Sequence, residues 1–341
     1  MCSPADKMTL AQAILNGDRL ALARLLSQVE NDSPQGRAAL IELYPHTGKA
    51  HRIGVTGAPG TGKSSLVNQL ALHYRKSEVK RIAIVAVDPS SPFSGGAVLG
   101  DRVRMRDLSG DPGVFIRSMA SRGSLGGLAQ STAGLAQVFD AAGFDKILIE
   151  TVGAGQGEVE VARLAHTTLV VEAPGLGDDI QAIKAGILEI ADVLVVNKAD
   201  RPGVENTEKA LRSMLELAHP VERTFMHHGL AMSVTSPKEA TQEDIWMPPI
   251  LRTVALDGQG IPELAGWIAQ HETHLRQSGG WMIRERARLE VELEMLVREE
   301  LMGRFREEIP ETRYEEILEQ VVQKSLSPWE AVRILMNGRL N

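Results

Sequence analysis

Three observations predict an α/β fold, a doubly wound and mostly parallel sheet carrying a helical extension before it and a helical arm after it. Seven short runs are apolar almost throughout and rich in β-branched residues: Ile53 to Thr56, Ile82 to Val87, Val114 to Arg117, Lys146 to Glu150, Leu169 to Val171, Val193 to Val196 and Ile250 to Val254. Helical patterns separate these runs, as expected of parallel strands covered on both faces. A glycine-rich segment, Gly57-Ala58-Pro59-Gly60-Thr61-Gly62-Lys63-Ser64, lies between the first run and a helical one, the strand–loop–helix setting in which such a segment binds phosphate.

Before the first strand, Leu10, Ile14, Leu20, Leu22, Leu25 and Leu26 recur at near-helical spacing, which predicts a small packing extension over residues 1–48. The alternating strands and helices then fill residues 49–277. Within them, the stretch from His219 to Pro249, with His227-His228 and Pro248-Pro249, is the least regular and reads as a surface insertion. Gly279-Gly280 breaks the helical pattern that ends near Leu275, and Ile283 to Leu301 follows as a long amphipathic helix with Leu289, Leu293, Leu296 and Leu301 among many charges. Ser327-Pro328-Trp329-Glu330 is a capping box with proline at the first helical position, and Gly338 ends that last helix. Residues 278–341 therefore form a helical tail whose apolar stripe serves either as a subunit-contacting arm or as a satellite packed on its own domain.

Composition narrows the class. The chain has 341 residues, of which 43% are hydrophobic, enough for a sizeable core. Its longest apolar runs fall well short of the roughly 20 residues a bilayer span requires, and no basic-then-apolar leader begins it, so the expectation is a cytoplasmic protein without a membrane segment. Cys2 is the single cysteine, which excludes an internal disulfide or a cysteine-built metal site. The formal charge of -7 gives no general attraction to nucleic acid.

The glycine-rich loop assigns roles by chemistry. Backbone N–H groups and the positive end of the helix dipole point at one spot, Gly60 and Gly62 allow close approach, Pro59 stiffens the turn, Lys63 reaches the β and γ phosphates, and the Ser64 hydroxyl suits Mg2+. A second motif, Asn197-Lys198-Ala199-Asp200, ends the strand Val193 to Val196, where open α/β sheets bind ligands. This is the guanine-reading signature of G proteins: the Asp200 carboxylate can accept from both N1–H and the 2-amino group, which adenine does not offer. The third, Glu150-Thr151-Val152-Gly153, places an acid and then a glycine at another strand end, a position for a ligand to Mg2+ or its water. Asp88, which ends the second strand, and Asp101, in the Gly/Ser-rich stretch after it, are further metal candidates. Arg102, Arg104 and Arg106 read as a solvated basic face.

In order, GAPGTGKSS, VDPSSP, LGDRVRM, ETVGAGQ, GDDIQAIKAG and NKAD resemble the MeaB/ArgK family of P-loop GTPases, metallochaperones of methylmalonyl-CoA mutase and related adenosylcobalamin-dependent acyl-CoA mutases. The resemblance spans about residues 8 to 335 and implies a GTPase with GTP/GDP and Mg2+ as cofactors, a mutase as protein partner, and a homodimer formed through the C-terminal helices. It further implies that residues 57 to 65, Ser65 included, hold the phosphates and that Val254-Ala255-Leu256 backs the guanine, with Val254 where the family often has serine. Gly175 to Lys184 would correspond to a switch that reports nucleotide state, with Pro174 and Leu176 departing from the family's glycines. The expected catalytic set is Lys63 for charge on the phosphates, with Glu150, Asp101 and Gln156 organising metal and water. Three other readings are a metal inserter for a different enzyme, which would call for a Cys/His cluster, a small-molecule kinase, which has no use for N-K-x-D, and a nucleotide-gated binding module with negligible turnover.

Overall fold

In a computed structural model, residues 8–77, 79–89, 105–108, 110–121, 125–151, 157–175, 189–217, 224–227, 230–233 and 246–337 are described. Seven strands form one sheet, and all are parallel: β1 (His51–Thr56), β2 (Ile82–Pro89), β3 (Val114–Ser121), β4 (Lys146–Thr151), β5 (Thr167–Glu172), β6 (Val193–Asn197) and β9 (Ile250–Thr253). Their spatial order is β3-β2-β4-β1-β5-β6-β9. The strand that carries the glycine-rich loop is thus central, flanked by β4 and β5, and its C-terminal end opens where the connections diverge to the two sides. All seven runs read from the sequence are strands of this sheet.

Local chemistry starts and stops the helices before β1. Thr9 and Gln12 form a capping box on α1 (Leu10–Leu15), the Asp18 carboxylate accepts from the Leu20 and Ala21 N–H groups at the head of α2 (Arg19–Glu30), and Ser33-Pro34 opens α3 (Pro34–Leu43). These three helices share one buried cluster with α5 (Leu125–Ala141) and one sheet face, through Leu22, Leu25, Leu26, Val85, Phe139 and Ile149 among others. The other sheet face is covered by α4 (Lys63–Lys76) and α8 (Ile261–Gln277), where Ile53, Val55, Leu70, Ile84, Leu148 and Ile268 are fully buried. α6 (Gly157–Leu164) lies close against β1, since a Cβ at Gly54 would come within 2.7 Å of Val161 Cγ1. α7 (Val204–Leu217) covers β6 with Val204 and Leu211.

Two differences from the sequence reading have plain causes. The irregular insertion holds a two-stranded antiparallel hairpin, β7 (Thr224–His227) with β8 (Leu230–Ser233), which strands this short did not announce. The amphipathic helix is also longer than its apolar stripe: α9 runs Gly280–Glu308, because Gly279 at φ 76 ends the preceding turn and i,i+4 pairs such as Arg298–Glu294 and Arg304–Glu300 carry the helix on to the break before Pro310.

The chain divides into two compact units, residues 1–285 and 286–341. The second contains most of α9 with α10 (Glu311–Val322) and α11 (Pro328–Asn337), built around Ile309, Ile317, Ala331 and Leu335. Ser327 and Glu330 form the expected reciprocal cap of α11. Leu293, Leu296, Val297, Leu301 and Met302 are exposed on α9, and Trp329 is 84% exposed on α11. Among the described residues no helix is long and apolar enough to cross a membrane.

At the N-terminal edge of the sheet, opposite the glycine-rich loop, lies a buried polar layer. His51 Nε2 is 2.7 Å from Thr167 Oγ1, which is 2.9 Å from His271 Nδ1, whose other nitrogen faces Asp192 Oδ1 at 3.4 Å. The Thr167 hydroxyl thus stands between the two imidazoles, and His51 Nδ1 lies 3.0 Å from both Lys146 Nζ and Glu272 Oε2. Burial pushes His51 down from 6.5 to about 4; the Glu272 carboxylate pulls the other way, and the Lys146 ammonium reinforces the fall.

Because the folded value lies below the unfolded one, the stability His51 contributes is whole above about pH 6.5 and is lost as pH falls toward 4, by about 3 kcal/mol at the limit. Urea unfolding midpoints should drop through that window. His51→Gln, whose amide can keep both hydrogen-bond directions, should flatten the drop; an unchanged pH profile in this variant would remove His51 from the cause.

Candidate functional site: a crevice at the carboxyl edge of the sheet

The loop from β1 to α4 is shaped by residues that must be glycine. At Gly57 (φ 135) a Cβ would lie 2.1 Å from the Val171 carbonyl oxygen, so the chain crosses β5 at backbone contact. At Gly62 (φ 93), the N-cap of α4, a Cβ would lie 2.5 Å from Asn197 Nδ2. No side chain caps α4, and its first turn holds no acid, so its N-terminal N–H groups and dipole stay available to an anion. Lys63, 5% exposed, folds back over this end, its ammonium donating to the carbonyls of Gly57 (2.8 Å) and Ala58 (2.9 Å). An entering phosphate can take the ammonium from these two neutral acceptors, because a charged oxygen is the stronger partner.

One turn on, the Ser64 hydroxyl donates to Glu150 Oε1 at 2.5 Å. Glu150 ends β4 beside β1, in register with Val55, and is 1% exposed. The register that pairs β4 with β1 thus brings together a hydroxyl and a carboxylate 86 residues apart in the chain. Both are hard oxygen donors at a buried spot beside the phosphate loop, a donor set that suits Mg2+ rather than a softer metal. Behind them, Thr151 donates to the Thr56 hydroxyl at 3.3 Å and closes the gap between the two strand ends.

The third component arrives from β6. Asn197 is buried; its carboxamide donates from Nδ2 to the Thr61 carbonyl at 2.8 Å and accepts at Oδ1 from the Thr253 hydroxyl and the Ala255 N–H, both at 3.1 Å. Lys198, in the left-handed region at φ 58, turns its ammonium to the Gly60 carbonyl at 2.6 Å. Asn197 and Lys198 thereby join the 197–200 turn to the phosphate loop as walls of one crevice, and Asp200 stands exposed at its rim. The loop after β9 forms the outer wall: the Ala199 N–H donates to the Thr253 carbonyl, Val254 bridges to Gln259, and Leu256 is 82% exposed.

The structure therefore brings Gly57, Ala58, Pro59, Gly60, Thr61, Gly62, Lys63, Ser64, Ser65, Glu150, Asn197, Lys198, Asp200, Val254, Ala255 and Leu256 to one edge of the sheet. Asp88 ends β2 opposite Ala120 in register, on the same edge, but its side chain lies outside the described residues, as do Asp101, Gln156 and the stretch 176–184. Sequence reasoning missed Thr253. Its buried hydroxyl orients the Asn197 amide, and nothing in a lone Thr ahead of Val254 marks that task.

The family profile described as methylmalonyl-CoA mutase-associated GTPase MeaB matches residues 22–309. A relative from Pyrococcus abyssi named as a GTPase is 43% identical over 96% of this chain and 95% of its own length. GTPase ArgK of Escherichia coli is 35% identical over 97% of this chain and 96% of that one. The methylmalonic aciduria type A homolog of Caenorhabditis elegans, described as mitochondrial, is 30% identical over 87% of this chain and 73% of its own. Among solved structures, one titled LAO/AO transport system kinase superposes with a TM-score of 0.68 at 27% identity, covering 100% of both chains.

Thr253→Val should leave the fold intact and weaken binding of fluorescent GDP several-fold, about the worth of one hydrogen bond that orients a buried amide. Gly62→Ala, which presses on Asn197 and strains the N-cap, should cost more. Wild-type affinity in both variants would show that the Asn197 bridge is idle.

Proposed function

Because this chain belongs to the MeaB family of methylmalonyl-CoA mutase-associated GTPases, we propose that it is a Mg2+-dependent GTPase switch that gates cofactor loading of an adenosylcobalamin-dependent acyl-CoA mutase and protects that enzyme. Nucleotide binding and GTP hydrolysis come with the family and fold; the metal, the mutase and the homodimer are our reading. The observation that carries it is the Asn197 bridge to Thr61, which joins the glycine-rich loop and the 197–200 turn in one crevice and so supports reading them as phosphate cradle and guanine reader for a single ligand.

In this reading, the phosphates of GTP lie against the N–H groups of residues 57 to 65, and Lys63 exchanges its two carbonyls for β and γ oxygens, where it meets charge that grows during transfer. Asp200 pairs with the guanine edge, and the 254–256 loop backs the ring. Ser64 and Glu150 would hold Mg2+, with Asp88 or Asp101 joining them; the ion would neutralise charge on the β and γ phosphates. Gln156 and Asp101 would order the attacking water. No arginine stands out from the sequence as a finger, and in this reading intrinsic turnover is slow and a partner completes the site. Residues 175–184 would pass the nucleotide state to the mutase. The exposed stripe Leu293, Leu296, Val297 and Leu301 supports the arm reading of residues 278–341, the contact of a cytoplasmic homodimer.

Labelled GDP should bind at least about 100-fold more tightly than labelled ADP, because adenine leaves the Asp200 carboxylate without donors. Equal affinities would overturn the base assignment. Lys63→Ala should lower phosphate release by about 100-fold or more, whereas full activity would take the loop out of the mechanism. Light scattering should report a dimer that Leu293→Asp with Leu301→Asp converts to a monomer; a monomeric wild type would sink the arm reading.

A further inference from the structure

The elements that carry the crevice share a second meeting point at their far ends. β1 leads to the phosphate loop, and its second residue, Arg52, is buried and ion-paired with Glu285. His166, immediately before β5, takes the Arg52 N–H at Nδ1 (3.0 Å) and donates from Nε2 to Glu285 at 2.7 Å. Asp192, immediately before the strand that ends in Asn197, is fully buried and receives both guanidinium nitrogens of Arg284 at 2.7 Å. Lys146 opens β4, whose other end is Glu150; it pairs with Glu272 at 2.6 Å and lies 5.9 Å over the ring of Tyr74, on the last turn of the phosphate-loop helix. Trp281 is stacked on His166 at 3.6 Å, with Arg276 over it at 3.8 Å. Arg284, Glu285 and Trp281 all belong to the first turns of α9.

The root of α9 is thus bonded to the starts of the strands that end at the nucleotide, and each tie is a buried charge that cannot be left half-made. A short strand of some 20 Å is stiff along its length, so a shift of β1 against β6 at the carboxyl edge is felt at the opposite one, where such pairs are made or broken rather than stretched. We propose that this basal ring of Arg52, His166, Asp192, Arg284 and Glu285 is a regulatory coupling between the nucleotide crevice and the root of α9, so that nucleotide binding tightens the ring and loosening the ring weakens the nucleotide. This rests on the GTPase reading above. Reciprocity follows from linkage, since a coupling between two sites acts with the same factor in both directions.

The test is hydrogen–deuterium exchange on the full chain with and without GDP. Helix α2, which touches neither the crevice nor the ring, reports stabilisation of the whole unit by mass action. Peptides covering 57–66 and 279–287 should both gain protection beyond that seen in α2. In Glu285→Gln, the 279–287 peptide should lose its extra protection, and GDP affinity should fall about five-fold or more. Protection at 57–66 with a root that follows α2 would overturn the coupling and leave the GTPase reading standing. No protection at 57–66 would overturn both. Wild-type GDP affinity in a folded Glu285→Gln would also overturn the coupling.

Discussion

The crevice depends on one carboxamide. Asn197 holds the phosphate loop with its amino group while Thr253 and the Ala255 N–H hold its oxygen, so three loops from three strands are fixed by a group with a single sensible orientation. A carboxylate there would repel the Thr61 carbonyl, and an aliphatic side chain would leave that carbonyl and the Ala255 N–H buried without partners. The glycine at 62 belongs to the same constraint, because any side chain would stand where the amide must be. In the proposed function, specificity for a base and affinity for its phosphates share this one mechanical element.

Around it, several charged and polar groups of the site are held by internal contacts. Lys63 and Lys198 cap carbonyls of the loop they serve, and Ser64 donates to the acid with which it would share a metal. Such contacts keep a loop of unusual backbone conformation from collapsing, and each can be exchanged for a stronger, charged partner when nucleotide enters. The opposite edge is built on another principle. There the charges are buried and mutually paired, Asp192 with Arg284 and Arg52 with Glu285, and the His51 and His271 imidazoles share the Thr167 hydroxyl between them. One edge of the sheet is made to exchange partners; the other is made to keep them.

Much of this was legible in the chain. The seven strands declare themselves because a parallel strand buried on both faces must be apolar throughout, and the three motifs declare themselves because phosphate, metal and guanine each demand particular groups at particular spacings. The extent of α9 was less legible, since its last turns, beyond Leu301, are held by charge pairs such as Arg304–Glu300 rather than by the apolar stripe that marks the rest. The β7–β8 hairpin was invisible because four-residue strands leave too short a period to read. Thr253 escaped for a different reason: its importance lies wholly in what stands across from it in the neighbouring strand.

By itself, then, the sequence determined the class of fold and the family, and it assigned expected roles to Lys63, Ser64, Glu150 and Asp200, since those follow from residue type and local order along the chain. Tertiary structure alone decided that Glu150 meets Ser64, that Asn197 meets Thr61, and that Arg52, His166, Asp192, Arg284 and Glu285 form one buried ring. The reason is physical. A contact between residues 86 or 136 positions apart is set by strand order and register, and these arise from the packing of whole layers, which no local pattern of residues encodes.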